Sequence, residues 1–240
     1  KKTNGGALKA YDPVTGQYKD PYSIETYSGF DISSVGGDDT MWRIYEGYDM
    51  PQLRSFMTPL SLQFQTVYNA NVQTLTAAQV QTIQDVLTPE SIIIDGSKIG
   101  YTSSADVNNY ELDYSKAGIY SRKYDFGDIK LSITPIVLEA TVQTGTITKE
   151  YDGTLQATQL GNAPVTLVGL MDKDKDTVHL SEASKAVYGE YADKNVGTGK
   201  DVTYRGVTLE GAGSGNYVIA EVLNAQAGTI NARALKITAK

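Results

Sequence analysis

Three aspartates alternate with lysines in the run Met171-Asp172-Lys173-Asp174-Lys175-Asp176. That is the spacing at which the first oxygen ligands of a calcium loop recur. Such a loop also needs glycine at its sixth position and glutamate at its twelfth, where this chain has Thr177 and Ala183. The interleaved lysines oppose a divalent cation. Asp172, Asp174 and Asp176 are therefore weak metal candidates on what reads as a solvated hairpin tip, and no metal or cofactor is expected. Asp174→Ala should then be close to neutral.

A second candidate is Tyr151-Asp152-Gly153, within Thr148-Lys149-Glu150-Tyr151-Asp152-Gly153-Thr154. A tyrosine and a carboxylate together can grip a sugar, but aspartate before glycine is also turn chemistry. The carboxylate accepts nearby backbone N–H groups while glycine takes positive φ. The turn reading is preferred, and Asp152→Ala should cost a turn bond. Tyr68-Asn69-Ala70 stands in the same relation to its surroundings. A duplicated cluster suits a structural joint better than a catalytic centre.

The remaining chemical candidates are sparse. Asp38 and Asp39 are adjacent, so on extended chain they point to opposite faces and do not converge as a glycosidic acid pair. His179 lies between Val178 and Leu180, which turns it to solvent without an imidazole or thiol beside it. Gly197-Thr198-Gly199-Lys200 lacks the spacing of a phosphate loop and reads as a hairpin turn. Tyr11, Tyr18, Tyr22, Tyr27, Tyr45 and Tyr48 offer an aromatic platform for carbohydrate or protein; packing against a neighbouring β-coil is the preferred reading.

Composition agrees with a chain poor in catalytic equipment. The 240 residues hold one His and no Cys, which removes most thiolate, zinc and iron–sulfur chemistry. No enzyme activity is expected. A net charge of −7 argues against a polyphosphate partner, and no apolar run reaches the roughly 18 residues a membrane helix needs. Neither nucleic acid nor direct membrane insertion is expected. Seventeen Tyr against four Phe and one Trp suit strands with half-exposed rings.

The elements that must position these residues repeat. Thr58-Pro59, Thr134-Pro135 and Ala232 each open a run of alternating apolar residues, the period of a strand with one buried face. The stretches 107–114 and 214–221 share an Asn-Tyr pair (Asn109-Tyr110, Asn216-Tyr217), each followed by a Gly-led closing strand at 127–133 and 227–232. The expected organisation is a β-rich segment 1–57 that closes a β-helical region, a domain 58–135, a domain 136–233, and the start of a further repeat at 234–240. The fold class is mainly β, with tandem β-sandwich or β-grasp-like domains. One short helix is predicted at about 77–87: Val80, Ile83, Val86 and Leu87 recur at helical spacing, Thr76 and Gln79 form a capping box, and Pro89 ends it. The opening Lys1-Lys2-Thr3 lacks an apolar signal region and an initiating Met, so the chain reads as an excerpt of a longer protein.

Lys149-Glu150-Tyr151-Asp152-Gly153, Ala192-Asp193-Lys194-Asn195-Val196-Gly197 and Gly215-Asn216-Tyr217 together resemble the YDG repeat of large, two-partner-secreted bacterial surface adhesins of the filamentous-haemagglutinin type. The resemblance covers nearly all of 139–240, and 58–135 looks like a degenerate relative. It implies secretion through an outer-membrane partner and a place on the cell surface. The expected role is a spacer presenting a more distal binding region in cell adhesion, with stiff joints at Pro59 and Pro135 and neighbouring domains of the same chain as partners. The alternative is a module that itself binds a host glycan or surface protein through surface Tyr.

Overall fold

The structure is a computed structural model that describes residues 10–11, 14–143 and 145–238. The basic opening 1–9 and the last two residues of the 234–240 stretch lie outside the described residues. The chain is mainly β and divides into two compact units, 1–66 with 71–133 and 67–70 with 134–240. Residues 14–57 fall in the first unit. No helix among the described residues is long and apolar enough to cross a membrane.

In the first unit, β1 (Ala10–Tyr11) pairs antiparallel with β2 (Tyr18–Lys19). β3 (Ile32–Ser33) runs parallel to β4 (Trp42–Arg43), which is antiparallel to β5 (Gln52–Leu53). A further sheet has the order β6 (Thr58–Val67), β8 (Tyr124–Thr134), β7 (Asn108–Glu111). Across it packs α1, Ala77–Leu87, with Ile83 and Leu87 fully buried against Phe126, Ile129 and Leu131. The helix starts where its cap is satisfied: Thr76 Oγ1 accepts the Gln79 N–H at 3.3 Å while Gln79 Oε1 accepts the Thr76 N–H at 2.8 Å. It ends at Leu87, and Thr88–Glu90, containing Pro89, tightens into a 3₁₀ turn.

The first unit also buries an ionic cluster that local sequence does not announce. Asp125, on β8, is met by Arg43 Nε at 3.0 Å and by the Arg54 guanidinium. Arg54 also donates to Val35 O at 2.6 Å, and the Gly37 N–H donates to Asp125 at 3.2 Å. Arg43 lies 4.2 Å over the Tyr45 ring, whose hydroxyl donates to Tyr124 O at 2.5 Å and accepts the Phe126 N–H at 2.9 Å. These bonds fasten 35–54 to the start of the longest strand. β4 stops at Arg43, and Ile44 and Tyr45 enter the core.

The second unit contains two larger sheets around one core. The five-stranded sheet has the order β10 (Ile147–Glu150), β18 (Val222–Asn231), β15 (Gly197–Arg205), β14 (Tyr188–Tyr191), β11 (Gln156–Gln159). The three-stranded sheet has the order β12 (Val165–Val168), β9 (Ile136–Val142), β17 (Tyr217–Ile219). β13 (His179–Leu180) pairs with β16 (Leu209–Glu210). Ile147, Leu160, Tyr191, Val202, Tyr204 and Ile230 are among the most deeply buried side chains of this core. Tyr191 donates to Ile147 O and to Thr229 O, both at 3.2 Å, which ties the parallel pair β10 and β18 together.

One expectation is corrected here, and two features are added to the reading. The 197–200 run is not a hairpin turn but the bulged start of β15, with its register shifting between Gly197 and Asp201. A second helical turn, α2 (Glu182–Lys185), joins the predicted one because Ser181 caps it, accepting the Ser184 N–H at 3.1 Å. The Asn-Tyr strands also differ in pairing: β7 is antiparallel to its closing strand β8, whereas β17 leaves the closing strand and runs parallel to β9.

Because Asp125 is the ion-pair partner of Arg43 and the acceptor for Arg54, Asp125→Ala should cost about 3–5 kcal/mol. Chemical denaturation of the full chain measures this, and a loss below 1 kcal/mol would mean that the cluster behaves as an exposed pair.

Candidate functional site

A buried polar cluster of the second unit forms around the aspartate run. Met171 ends an extended stretch and Asp172–Asp174 makes a 3₁₀ turn. The Asp174 carbonyl accepts the Thr177 N–H at 3.1 Å and the Val178 N–H at 2.9 Å. The turn is covered by the loop at Gly211 and Gly213, where glycine is required. A Cβ on Gly211 would stand 1.8 Å from Thr177 O, and both glycines have positive φ (101° and 87°).

Within this turn the three aspartates diverge. Asp172 and Asp176 are exposed, and Asp172 Oδ1 is held by Lys175 Nζ at 2.6 Å, which lowers its carboxyl pKa. Asp174, in contrast, is 6% exposed, and its Oδ2 accepts two hydroxyls: Tyr217 at 2.6 Å and Tyr68 at 2.9 Å. The solvated-tip reading of Asp174 is therefore wrong. Alternation of charged residues suggested exposure, but the 3₁₀ turn rotates this one carboxyl inward. Among the described residues, no group of three His, Cys, Asp or Glu is placed to hold a metal ion.

Tyr68 belongs to the short 67–70 piece of the second unit. Its ring meets that of Tyr217 edge-on, centroids 5.6 Å apart at 78°. Lys173 Nζ donates to Ala70 O at 2.9 Å and lies 5.5 Å from the Tyr68 ring centroid. The Tyr217 hydroxyl also accepts the Met171 N–H at 3.1 Å. Burial, followed by its bond to Asp174, pushes the Tyr217 phenol up to about 12. Asn216 is buried beside it, its N–H donating to Gly213 O at 3.0 Å.

Tyr151-Asp152-Gly153 forms an Asx turn at the surface. Asp152 Oδ1 accepts the Thr154 N–H at 2.9 Å, the Thr154 hydroxyl at 2.8 Å and Lys149 Nζ at 2.8 Å. The Lys149 bond, then those from Thr154, hold the carboxyl far below the usual range. Gly153 has φ 78°, and Ala70 at the matching place has φ 67°, a left-handed conformation costly for a residue with a Cβ. The Tyr151 N–H donates to Asn231 O at 2.9 Å, and the Tyr68 N–H to Thr134 O at 2.8 Å. Each turn thus binds the last residue of a closing strand.

The other candidates do not gather. His179 is exposed, 3.7 Å from Glu210. Asp38 accepts the Ser33 hydroxyl at 2.5 Å. Pro59 opens β6, and Pro135 separates β8 from β9. Tyr45 is buried, whereas Tyr18 and Tyr48 are 63% and 40% exposed. Tyr48 stacks on Tyr120, centroids 5.4 Å apart, beside a first-unit cleft of about 450 Å³ lined by Glu46, Glu111, Asp113, Asp128 and Tyr114.

Residues 134–225 match the family model of the YDG domain, which defines a YDG-domain region coincident with most of the second unit. Searches of curated proteins and of solved structures return no match.

Removing the Asp174 carboxyl leaves two phenols without their acceptor, so Asp174→Ala should cost about 1–3 kcal/mol in chemical denaturation; a neutral result would contradict the buried arrangement. Tyr217 carries the expected pH dependence. A phenol raised from 10 to about 12 in the folded state favours folding fully below pH 10, and that contribution is lost as pH rises through 12. Stability should fall across this window, and Tyr217→Phe should flatten the fall; an unchanged slope would contradict the assignment.

Proposed function

We propose that this chain is a non-enzymatic structural segment of a secreted bacterial surface adhesin, holding a more distal binding region away from the cell. The observation that carries the reading is how the candidate chemistry is used. Asp174, Tyr217 and Tyr68 bond to one another inside the unit, while Asp152 and Lys149 close a turn. Groups used in this way stiffen a fold and present nothing to a substrate. The YDG-domain region supports the same reading through the adhesins that its residues resemble.

A second reading has one observation in its favour. The Tyr48 and Tyr120 stack beside a carboxylate-lined cleft is the kind of wall and rim that can hold a saccharide, with a ring for the apolar face and acceptors for its hydroxyls. In that case the first unit is itself a glycan-binding module.

A glycan array with the purified chain separates the two. The spacer reading expects no saturable binding, and an adhesin lacking these residues should still bind its ligand when purified while mediating less cell attachment. Saturable glycan binding abolished by Tyr48→Ala would replace the spacer reading with the binding module.

A further inference from the structure

The chain contains the same turn twice, but only one copy is enclosed. Tyr68-Asn69-Ala70 and Tyr151-Asp152-Gly153 share a left-handed third residue and a tyrosine N–H bonded to the end of a closing strand. Tyr68 is 2% exposed, its hydroxyl on Asp174 and its ring against Tyr217, whereas Tyr151 is 39% exposed. We propose that Tyr151-Asp152-Gly153 is a docking turn whose partner is a further YDG-type unit, which would receive Tyr151 on its own counterparts of Lys173, Asp174 and Tyr217.

The socket already present shows why the second turn would fit. It touches the first turn at the tyrosine side chain and at the carbonyl of the third residue, which accepts from Lys173 Nζ at 2.9 Å. Both features are common to the two turns. Where the two turns differ, the third residue is read through its backbone carbonyl, which Gly153 offers as Ala70 does, and the contacts of Asp174 and Tyr217 go to the tyrosine. Gly153 also takes the left-handed conformation without the strain of a Cβ, so the Tyr-Asp-Gly turn suits such a socket at least as well as Tyr-Asn-Ala. The lysines of the 171–176 run, which argue against calcium, gain a role here: Lys173 reads a carbonyl. The proposal concerns docking alone and holds whether or not the segment acts as a spacer.

The test writes the second turn into the first position of the full chain. Asn69→Asp with Ala70→Gly should keep or raise Tm, and a double-mutant cycle of Tyr68→Phe with Asp174→Asn should retain a coupling of at least about twofold in the unfolding constant. Loss of that coupling would overturn the proposal, because the Tyr-Asp-Gly turn would not fit the socket. A second measurement uses a tandem chain in which residues 1–231 are followed by a repeat of 134–240. There Tyr151→Phe should lower Tm by about 2–4 °C, with no effect in the 240-residue chain, and Asp174→Asn in the added copy should abolish the difference. Equal effects of Tyr151→Phe in both chains would also overturn it.

Discussion

A carboxyl group is kept in a protein interior only where donors replace the water it has lost, and the second unit is arranged around one such group. Asp174 is answered by two phenols rather than by a cation, one from Tyr217 and one from Tyr68. This demand explains the features that surround it. The 3₁₀ turn aims the carboxyl inward, Gly211 and Gly213 let a loop close over it, and Met171 and Asn216 use their backbone N–H groups to fix the loop on either side. It also explains why residues 67–70 belong to this unit although 71–133 do not.

The two turns show a single local solution used under different burdens. At 151–153 the turn is self-sufficient, since Asp152, Lys149 and Thr154 close it with their own side chains. At 68–70 the conformation is held from outside, by Lys173 on the Ala70 carbonyl and Asp174 on the Tyr68 hydroxyl, and those contacts offset the cost of a left-handed alanine. The closing strands that receive the tyrosine N–H groups are alike in this respect, although the strands preceding them pair differently.

What was legible in the sequence was what short-range chemistry decides. The helix at 77–87 is specified by the Thr76 and Gln79 cap at one end, Pro89 at the other and apolar spacing between, all within fifteen residues. The predominance of strands followed from alternation and punctuation. What was hidden depends on distant partners. Asp174 meets residues 43 and 106 positions away, and Asp125 meets Arg54 71 positions away. Charge alternation at 172–176 pointed to solvent because periodicity cannot see a 3₁₀ turn that rotates one side chain of the five. The 197–200 run misled for a related reason: its glycines mark a bulge within a strand, which composition does not distinguish from a turn.

The central claim is that Tyr68 opens and closes with the second unit because Asp174 holds it there. Native-state hydrogen exchange of the Tyr68 amide, bonded to Thr134 O, reads this directly. The account predicts that this amide exchanges with the same opening free energy as the Val178 and Tyr191 amides of the second unit. Exchange at the rate of an unprotected loop, or with the opening of the Leu112 amide in the first unit, would contradict it.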